Sequence, residues 1–355
     1  MSSRTRAART VAALGLLLAA TACSPTYVIR AGYEEAKILS RRQPIQKLVD
    51  DPRTPPERRA KLALVLQART FADRTLGLKA GKSYTTFSQL DSDTLALVLS
   101  AAYRDRFRPR TWWFPIVGSV PYKGFFSESA ARREIRRLEE AGFDTYLRPT
   151  SAFSTLGWFN DPVVSPLLRY GDVDLVNTVV HEIFHNTLYL AGEAQYNESV
   201  ANFVGAQGAI EFFCRRDGPE SSGCREARAA WEDDLVFGAF MDALVAELEA
   251  LYARADLTRE QKLAARDDVF RRAKERFATE VRPRLKVQTF ASFTGTPLNN
   301  ATLIARRLYY HRLELFDRVL RSRGGDLRRT VDDLVRAARG AEDPYAATEA
   351  LLAAP

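Results

Sequence analysis

Two of the chain's three histidines stand four residues apart, in Val179-Val180-His181-Glu182-Ile183-Phe184-His185. A helix turns about 100° per residue, so positions i and i+4 share one face. His181 and His185 can then bind one metal ion from a single helix, with Glu182 beside them where a base for an attacking water would stand. H-E-x-x-H is the spacing used by zinc-dependent hydrolases. Two buried histidines and a glutamate side by side would be costly without a metal. One zinc ion per chain is therefore expected.

A hydrolytic zinc site takes three protein ligands and leaves one position open. Glu198 is the candidate third ligand, because it sits in the first turn of the next helix and the Gly192-containing turn lets that helix fold back. Glu193 is the nearer rival in the connecting loop, where it could instead hold a substrate ammonium group, and His311 is the remaining histidine.

These residues need elements to carry them. Asp172 or Asp174 can open the first helix, whose apolar residues cover more than one face, so it reads as buried and as ending at Gly192. Asn197 is a good N-cap for a second helix through Phe213. Upstream, helices are expected over Thr54–Gly77, Asp93–Asp105 and Ser127–Ala141. Trp112–Phe126 and Asp144–Arg148 read as strands and turns. The remainder reads as helices over Glu226–Ala255, Thr258–Arg282, Asn300–Arg323 and Leu327–Arg339, with Thr258 and Gln261 as a capping box.

The length of 355 residues, 46% hydrophobic, is enough for a sizeable core. The first residues have the form of a targeting segment: Arg4, Arg6 and Arg9 precede a short apolar run, Val11–Ala20. Losing residues 1–22 removes three arginines and no acids, lowering the net charge from +8 to +5. That surplus is spread out, and its densest cluster, Arg132-Arg133 with Arg136-Arg137, reads as a solvated helix face rather than a nucleic-acid site. Cys214 and Cys224 flank a turn-rich linker and are expected to form a disulfide in an oxidising compartment. The rival reading, zinc ligation, lacks a partner pair of Cys or His.

The arrangement His181-Glu182-x-x-His185, twelve residues, then Glu198 resembles the gluzincin clan of metallopeptidases, in which a downstream helical Glu is the third ligand. Asn202 stands where thermolysin-like members carry an Asp that orients a zinc histidine, and its amide could do the same without the charge. More widely, the chain resembles a family of bacterial lipoproteins described as predicted aminopeptidases. The resemblance rests on Phe71-Ala72-x-x-x-Leu76-Gly77-Leu78, Tyr122-x-Gly124, Ser154-Thr155-Leu156-Gly157-Trp158-Phe159-x-Asp161-Pro162, the metal motif and Leu298-Asn299-Asn300-Ala301. Ala20-Thr21-Ala22-Cys23 is similar to a lipobox, which implies lipidation of Cys23 and, with Ser24 following, an outer-membrane location facing the periplasm.

These resemblances imply an α+β, predominantly helical protein with a zincin-like core and a small sheet before the active helix. The expected organisation is a signal peptide over 1–22, a lipidated tether and first helix over 23–50, and a single domain over 51–355 whose part from about 226 is helical. The implied activity is peptide-bond hydrolysis with Glu182 as general base, on a peptide substrate. Related enzymes draw an oxyanion donor from downstream, which points to Tyr309, with Tyr310 and His311 as neighbours; a packing stripe with Leu308 is the alternative. They also bind substrate along an edge strand before the active helix, which points to Ser154, Thr155, Gly157 and Trp158, with Tyr122 and Lys123 as further candidates. Two other readings share the motif: an envelope lipoprotein with a structural zinc, and a cell-wall peptide amidase.

Overall fold

The computed structural model describes residues 36–92, 94–114, 117–150 and 160–353. The fold is α+β and predominantly helical. A short strand β1 (Gln43–Pro44) and helix α1 (Ile45–Asp50) lead into the long helix α2 (Pro56–Arg74). Strands β2 (Thr86–Ser88), β3 (Ala96–Tyr103), β4 (Trp112–Phe114), β5 (Gly118–Val120) and β6 (Tyr122–Phe125) follow. Helix α3 (Glu128–Glu140), strands β7 (Phe143–Thr150) and β8 (Val163–Val164) and a 3-10 turn then bring the chain to α4 (Asp172–Thr187), which carries the histidines.

One expectation is overturned in this region. The stretch Asp93–Asp105, read as a helix, contains β3, the central strand of an antiparallel sheet ordered β6-β3-β7. Its sequence, Ala96-Leu97-Val98-Leu99-Ser100-Ala101-Ala102-Tyr103, is nearly all apolar because both faces are covered. A strand of that kind lacks alternation and matches a buried helix in periodicity. On one face Leu99, Ala101 and Phe125 pack with Ala131 and Leu138 of α3. On the other, the register aligns Ser100 with Tyr122 and Tyr146, and Val98 with Gly124 and Arg148. Side chains two apart on a strand share a face, so Tyr122, Tyr146 and Arg148 project together, away from α3.

Helix α4 is rich in β-branched valines, which have modest helix propensity, so tertiary burial has to hold it. Val176, Val179, Val180, Ile183 and Phe184 are fully buried, each contributing about 1.5–3 kcal/mol by leaving water. Its N-terminus favours the negative charges of Asp172 and Asp174, and Lys61 reaches from α2 to Asp172 at 2.6 Å and to the Tyr170 carbonyl at 2.6 Å. The helix ends at Thr187, before the expected Gly192, because Leu188 turns extended; Gly192, at φ 88°, supplies the later left-handed turn.

Helix α5 (Ala194–Asp217) starts four residues earlier than it would with Asn197 as its cap, because Glu193 takes that position. Asn197 lies inside its first turn and grips the preceding loop, its amide oxygen accepting from the Leu190 N–H at 2.9 Å and its nitrogen donating to the Leu190 carbonyl at 2.7 Å. The Cys214–Cys224 disulfide ties the end of α5 to the start of α6 (Ser222–Ala253).

Helix α6 and α7 (Arg259–Arg276) form a hairpin around an aromatic cluster with Phe237, Phe277 and Phe293, and the Thr258–Gln261 capping box is present. After α8 (Ala291–Gly295), the helix expected over Asn300–Arg323 is two helices, α9 (Asn300–Tyr310) and α10 (Leu313–Ser322), broken by Arg312 at φ 53°. The Asp242 carboxylate pins the break, bonding His311 Nδ1 at 2.7 Å and the Arg312 N–H at 3.1 Å. Helices α11 (Leu327–Ala338) and α12 (Pro344–Ala350) close the chain. Among the described residues no helix is long and apolar enough to cross a membrane.

Candidate metal centre

His181 and His185, on successive turns of α4, are buried and bring their Nε2 atoms to 3.2 Å. Glu198, expected in the first turn of its helix and found in the second turn of α5, places Oε2 3.5 Å from His181 Nε2 and Oε1 3.9 Å from His185 Nε2. One ligand atom from each of the three lies within 4.8 Å of the others, so the group can hold a metal ion. The Leu188–Glu193 connection and the Asn197 grip turn α5 back along α4. Two glycines then let the helices touch. A Cβ on Gly205 would stand 2.3 Å from Asn177 Oδ1 and 3.0 Å from His181 Cβ, and one on Gly208 would meet Val180 at 2.8 Å.

Charge is divided unequally over the three groups. Burial disfavours ionisation of Glu198, but its bond to His181 and the nearby His185 and Arg148 outweigh this and hold it down at about 2. Burial likewise opposes charge on His181, yet Glu198 and Glu182 lift its pKa above the usual histidine value. His185, buried and beside the charge of His181, is pushed down to about 4, against the pull of Glu198. A neutral imidazole and an ionised carboxylate are the forms that bind metals.

Glu182 lies on the same helix, and burial, with Glu198 and Asp161 adding to it, raises its carboxyl to about 7 despite the opposing pull of His181. Buried Tyr84 and Asp161 flank it, joined by the Tyr84 N–H donating to the Asp161 carbonyl at 2.7 Å. Tyr84 and the adjoining Asn160 both occupy the left-handed region, at φ 60° and 52°, which non-glycine residues keep only where the surroundings hold them.

Opposite α4 the site is covered by phenols and a guanidinium. The Tyr309 ring lies 6.2 Å from that of His181, inclined at 29°. Arg148 Nη2 donates to the Tyr309 oxygen at 3.1 Å. Tyr122 and Tyr189 also lie close enough to Glu198 for its charge to raise their pKa values, after the larger effect of burial. The C-terminal carbonyls of α9 are held by α5: Ser199 Oγ donates to Leu308 at 2.8 Å and Asn202 Nδ2 to Tyr309 at 3.1 Å.

The structure thus gathers His181, His185, Glu198, Glu182 and Tyr309. Of the neighbours of Tyr309, Tyr310 faces the aromatic cluster beside Phe237 and His311 is engaged by Asp242, so neither joins the metal group. Glu193 is exposed at the start of α5, outside that group, and lines a separate cavity of about 300 Å³ with Arg307 and Ile304. Asn202 orients no histidine; it holds the Tyr309 carbonyl and bonds Asp234, while His185 Nδ1 is buried without a partner among the described residues. Ser154, Thr155, Gly157, Trp158 and Cys23 lie outside the described residues. Sequence reasoning missed Arg148, Asp161 and Gly205. Arg148 had a signal, since Asp144, Tyr146 and Arg148 alternate along one strand and a charged residue on a sheet's inner face needs a partner.

Residues 26–346 match the family described as "Putative aminopeptidase". The chain belongs to this family. No curated protein and no solved structure matches it. The family match spans every residue of the metal group and its cover, and it includes Leu298-Asn299-Asn300-Ala301, whose physical role is now visible. Asn299 caps α9 by accepting from the Thr302 N–H at 2.8 Å, and Asn300 donates to the Tyr103 carbonyl at 2.8 Å, docking α9 on the sheet that carries Arg148.

Proposed function

We propose that the protein is a zinc-dependent aminopeptidase with a zincin-like core, using Glu182 as general base. The observation that carries this reading is the convergence of His181, His185 and Glu198 beside Glu182. Two nitrogens each about 2.0–2.1 Å from one tetrahedral zinc stand about 3.3 Å apart. The 3.2 Å between the histidine nitrogens is close to that spacing. Zinc, when bound, would supply a Lewis acid that polarises the scissile carbonyl and acidifies water.

The chain's own groups divide the rest of the work. Glu182, with its pKa near neutrality, can take a proton from the attacking water and return it to the leaving amine. Tyr309 can donate its O–H to the carbonyl oxygen as negative charge develops there. Helix α4 is held rigidly by burial, which keeps Glu182 and both histidines in fixed relation.

The setting belongs to the same proposal: a lipid anchor on Cys23 and a periplasm-facing envelope location. Its support is the Ala20-Thr21-Ala22-Cys23 sequence after an apolar run and the Cys214–Cys224 disulfide, a bond that persists in oxidising compartments.

The test is Glu182→Gln on the zinc-loaded protein, assayed on a library of short peptides. Hydrolysis is expected to drop by about 10²–10⁴-fold, with about one zinc per chain retained. Equal activity in the two proteins would remove Glu182 from the chemistry. Bound zinc with no hydrolysis by the wild type would leave the metal a structural role.

A further inference from the structure

We propose that Arg148 is a positioning residue for this peptidase: it occupies the Tyr309 oxygen as a donor and so reserves the phenol's only proton for the reacting carbonyl oxygen. The inference rests on the peptidase reading and adds a residue and a hydrogen-bond polarity to it.

A guanidinium has donors and no acceptor, whereas a phenol both donates and accepts. In the 3.1 Å contact between Arg148 Nη2 and Tyr309 the oxygen must therefore accept. Its proton is left free to point elsewhere. The rival acceptor for that proton is the ionised Glu198, whose charge bears on the Tyr309 phenol; the Arg148 charge bears on Glu198 in turn and stabilises the carboxylate, which weakens it as an acceptor.

The pair is also firmly built. Arg148 stands on β7, hydrogen-bonded along its length to the central strand β3, with Gly124 across Val98 on the third strand. No side chain from that position competes for the space. The backbone of Tyr309 is held from the other side by Asn202, and the residue before it by Ser199. The phenol is thus fixed at both its oxygen and its main chain, over the ring of His181.

Tyr309 is further set apart from the other phenols around Glu198. The Tyr189 O–H is spent on the Val117 carbonyl, at 3.3 Å. Tyr122 shares the sheet face with Arg148, but it pairs with Ser100 where Arg148 pairs with Val98, and Arg148 bonds Tyr309. Tyr309 is therefore the phenol whose oxygen is held by a charged donor while its own proton stays available.

The experiment is a mutant cycle on the zinc-loaded full chain with Arg148→Ala, Arg148→Lys, Tyr309→Phe, Tyr122→Phe and the Arg148→Ala/Tyr309→Phe double variant. It reads kcat and KM on a short peptide, zinc content, and the Kd of a phosphinic peptide measured by calorimetry. Tyr309→Phe should lower kcat by about 10²-fold, the scale for loss of one oxyanion donor. Arg148→Ala should lower kcat by about tenfold or more with KM little changed, and guanidinium ion in the buffer should restore part of it. Phosphinic peptide binding should weaken in step, zinc content should hold, Arg148→Lys should fall between wild type and Arg148→Ala, and the double variant should be no worse than Tyr309→Phe.

A double variant whose loss is the product of the two single losses would overturn the proposal, because Arg148 would then act independently of Tyr309. So would zinc loss in both Arg148 variants, or an effect of Arg148→Ala on KM alone. Full kcat in Tyr309→Phe with a loss in Tyr122→Phe would assign the donor to Tyr122, sinking this inference while the peptidase reading stood. Failure of that reading has its own signature, full activity in Glu182→Gln.

Discussion

At the scale of residues, the same burial that makes the site costly also tunes it. Glu182 sits at about 7 because its surroundings disfavour the carboxylate. As a base it must be ionised, so kcat/KM should fall as pH drops, with the acidic limb at or below about 7 because a bound cation favours the carboxylate. A pH profile that is flat across that limb would remove Glu182 as the titrating base. Asp234 offers a test in stability. Buried, and beside Asp233 and Asp174, its carboxyl is raised to about 8 from an ordinary 3.8. Between those values the folded chain keeps a proton that the unfolded chain has released, so the group costs stability as pH rises, up to about 1.4 kcal/mol per pH unit. Asp234→Asn removes that dependence, and thermal melts should show its Tm gaining on the wild type as pH increases from about 5 to about 8. A constant Tm difference would contradict the raised value.

At the scale of elements, the site depends on how closely α4 and α5 approach. Glu198 reaches both histidines because Gly205 and Gly208 leave room for Asn177 and Val180. Gly205→Ala would put a methyl 2.3 Å from Asn177 Oδ1 and 2.8 Å from the Asn177 carbonyl, so the helices must part. The expected result is a loss of about 1–3 kcal/mol of stability together with weaker zinc binding in a competition titration. Gly295→Ala, where a Cβ meets nothing within 4 Å, is the control. Unchanged zinc affinity in Gly205→Ala would show that the approach of the helices does not set the ligand geometry. Element by element, strong local signals were legible: the Thr258 capping box, the strands around Trp112–Phe126 and the Gly142 turn after α3. Strand β3 was not, since a fully covered strand has no polar face to mark its period.

At the scale of the whole molecule, the helical C-terminal part and the sheet are joined by a buried ion pair. Arg266 of α7 bonds Asp144 of β7 at 2.7 and 3.2 Å, and Asp144 also accepts from the Asn300 N–H at 3.1 Å. Tyr252 of α6 completes the network, donating to Asn300 Oδ1 at 3.0 Å. Arg266→Ala would leave buried Asp144 with only the more exposed Arg104, 3.5 Å away, as a cation, at a cost of up to about 3–5 kcal/mol, readable as a lower denaturation midpoint in urea. A loss well under about 1 kcal/mol would mean that water replaces the guanidinium there. Because Asp144 and Arg148 lie on one strand, the network that docks the C-terminal helices also anchors the strand that covers the metal group.

The sequence alone determined the histidine pair, the glutamate between its members and the helix that bears them, because i and i+4 spacing is a local property of the chain. It also pointed to Glu198, since a short connection constrains where the next helix can return, and to the Cys214–Cys224 bond across a short turn. Tertiary structure decided the rest. That Tyr309 rather than Tyr310 or His311 faces the histidines follows from the side on which α5 holds α9. That Asn202 serves the Tyr309 carbonyl and not a histidine, and that Arg148 enters the site at all, follows from contacts between residues more than a hundred positions apart. Such contacts carry no local periodicity, so they are settled only when the packed faces of sheet and helices meet.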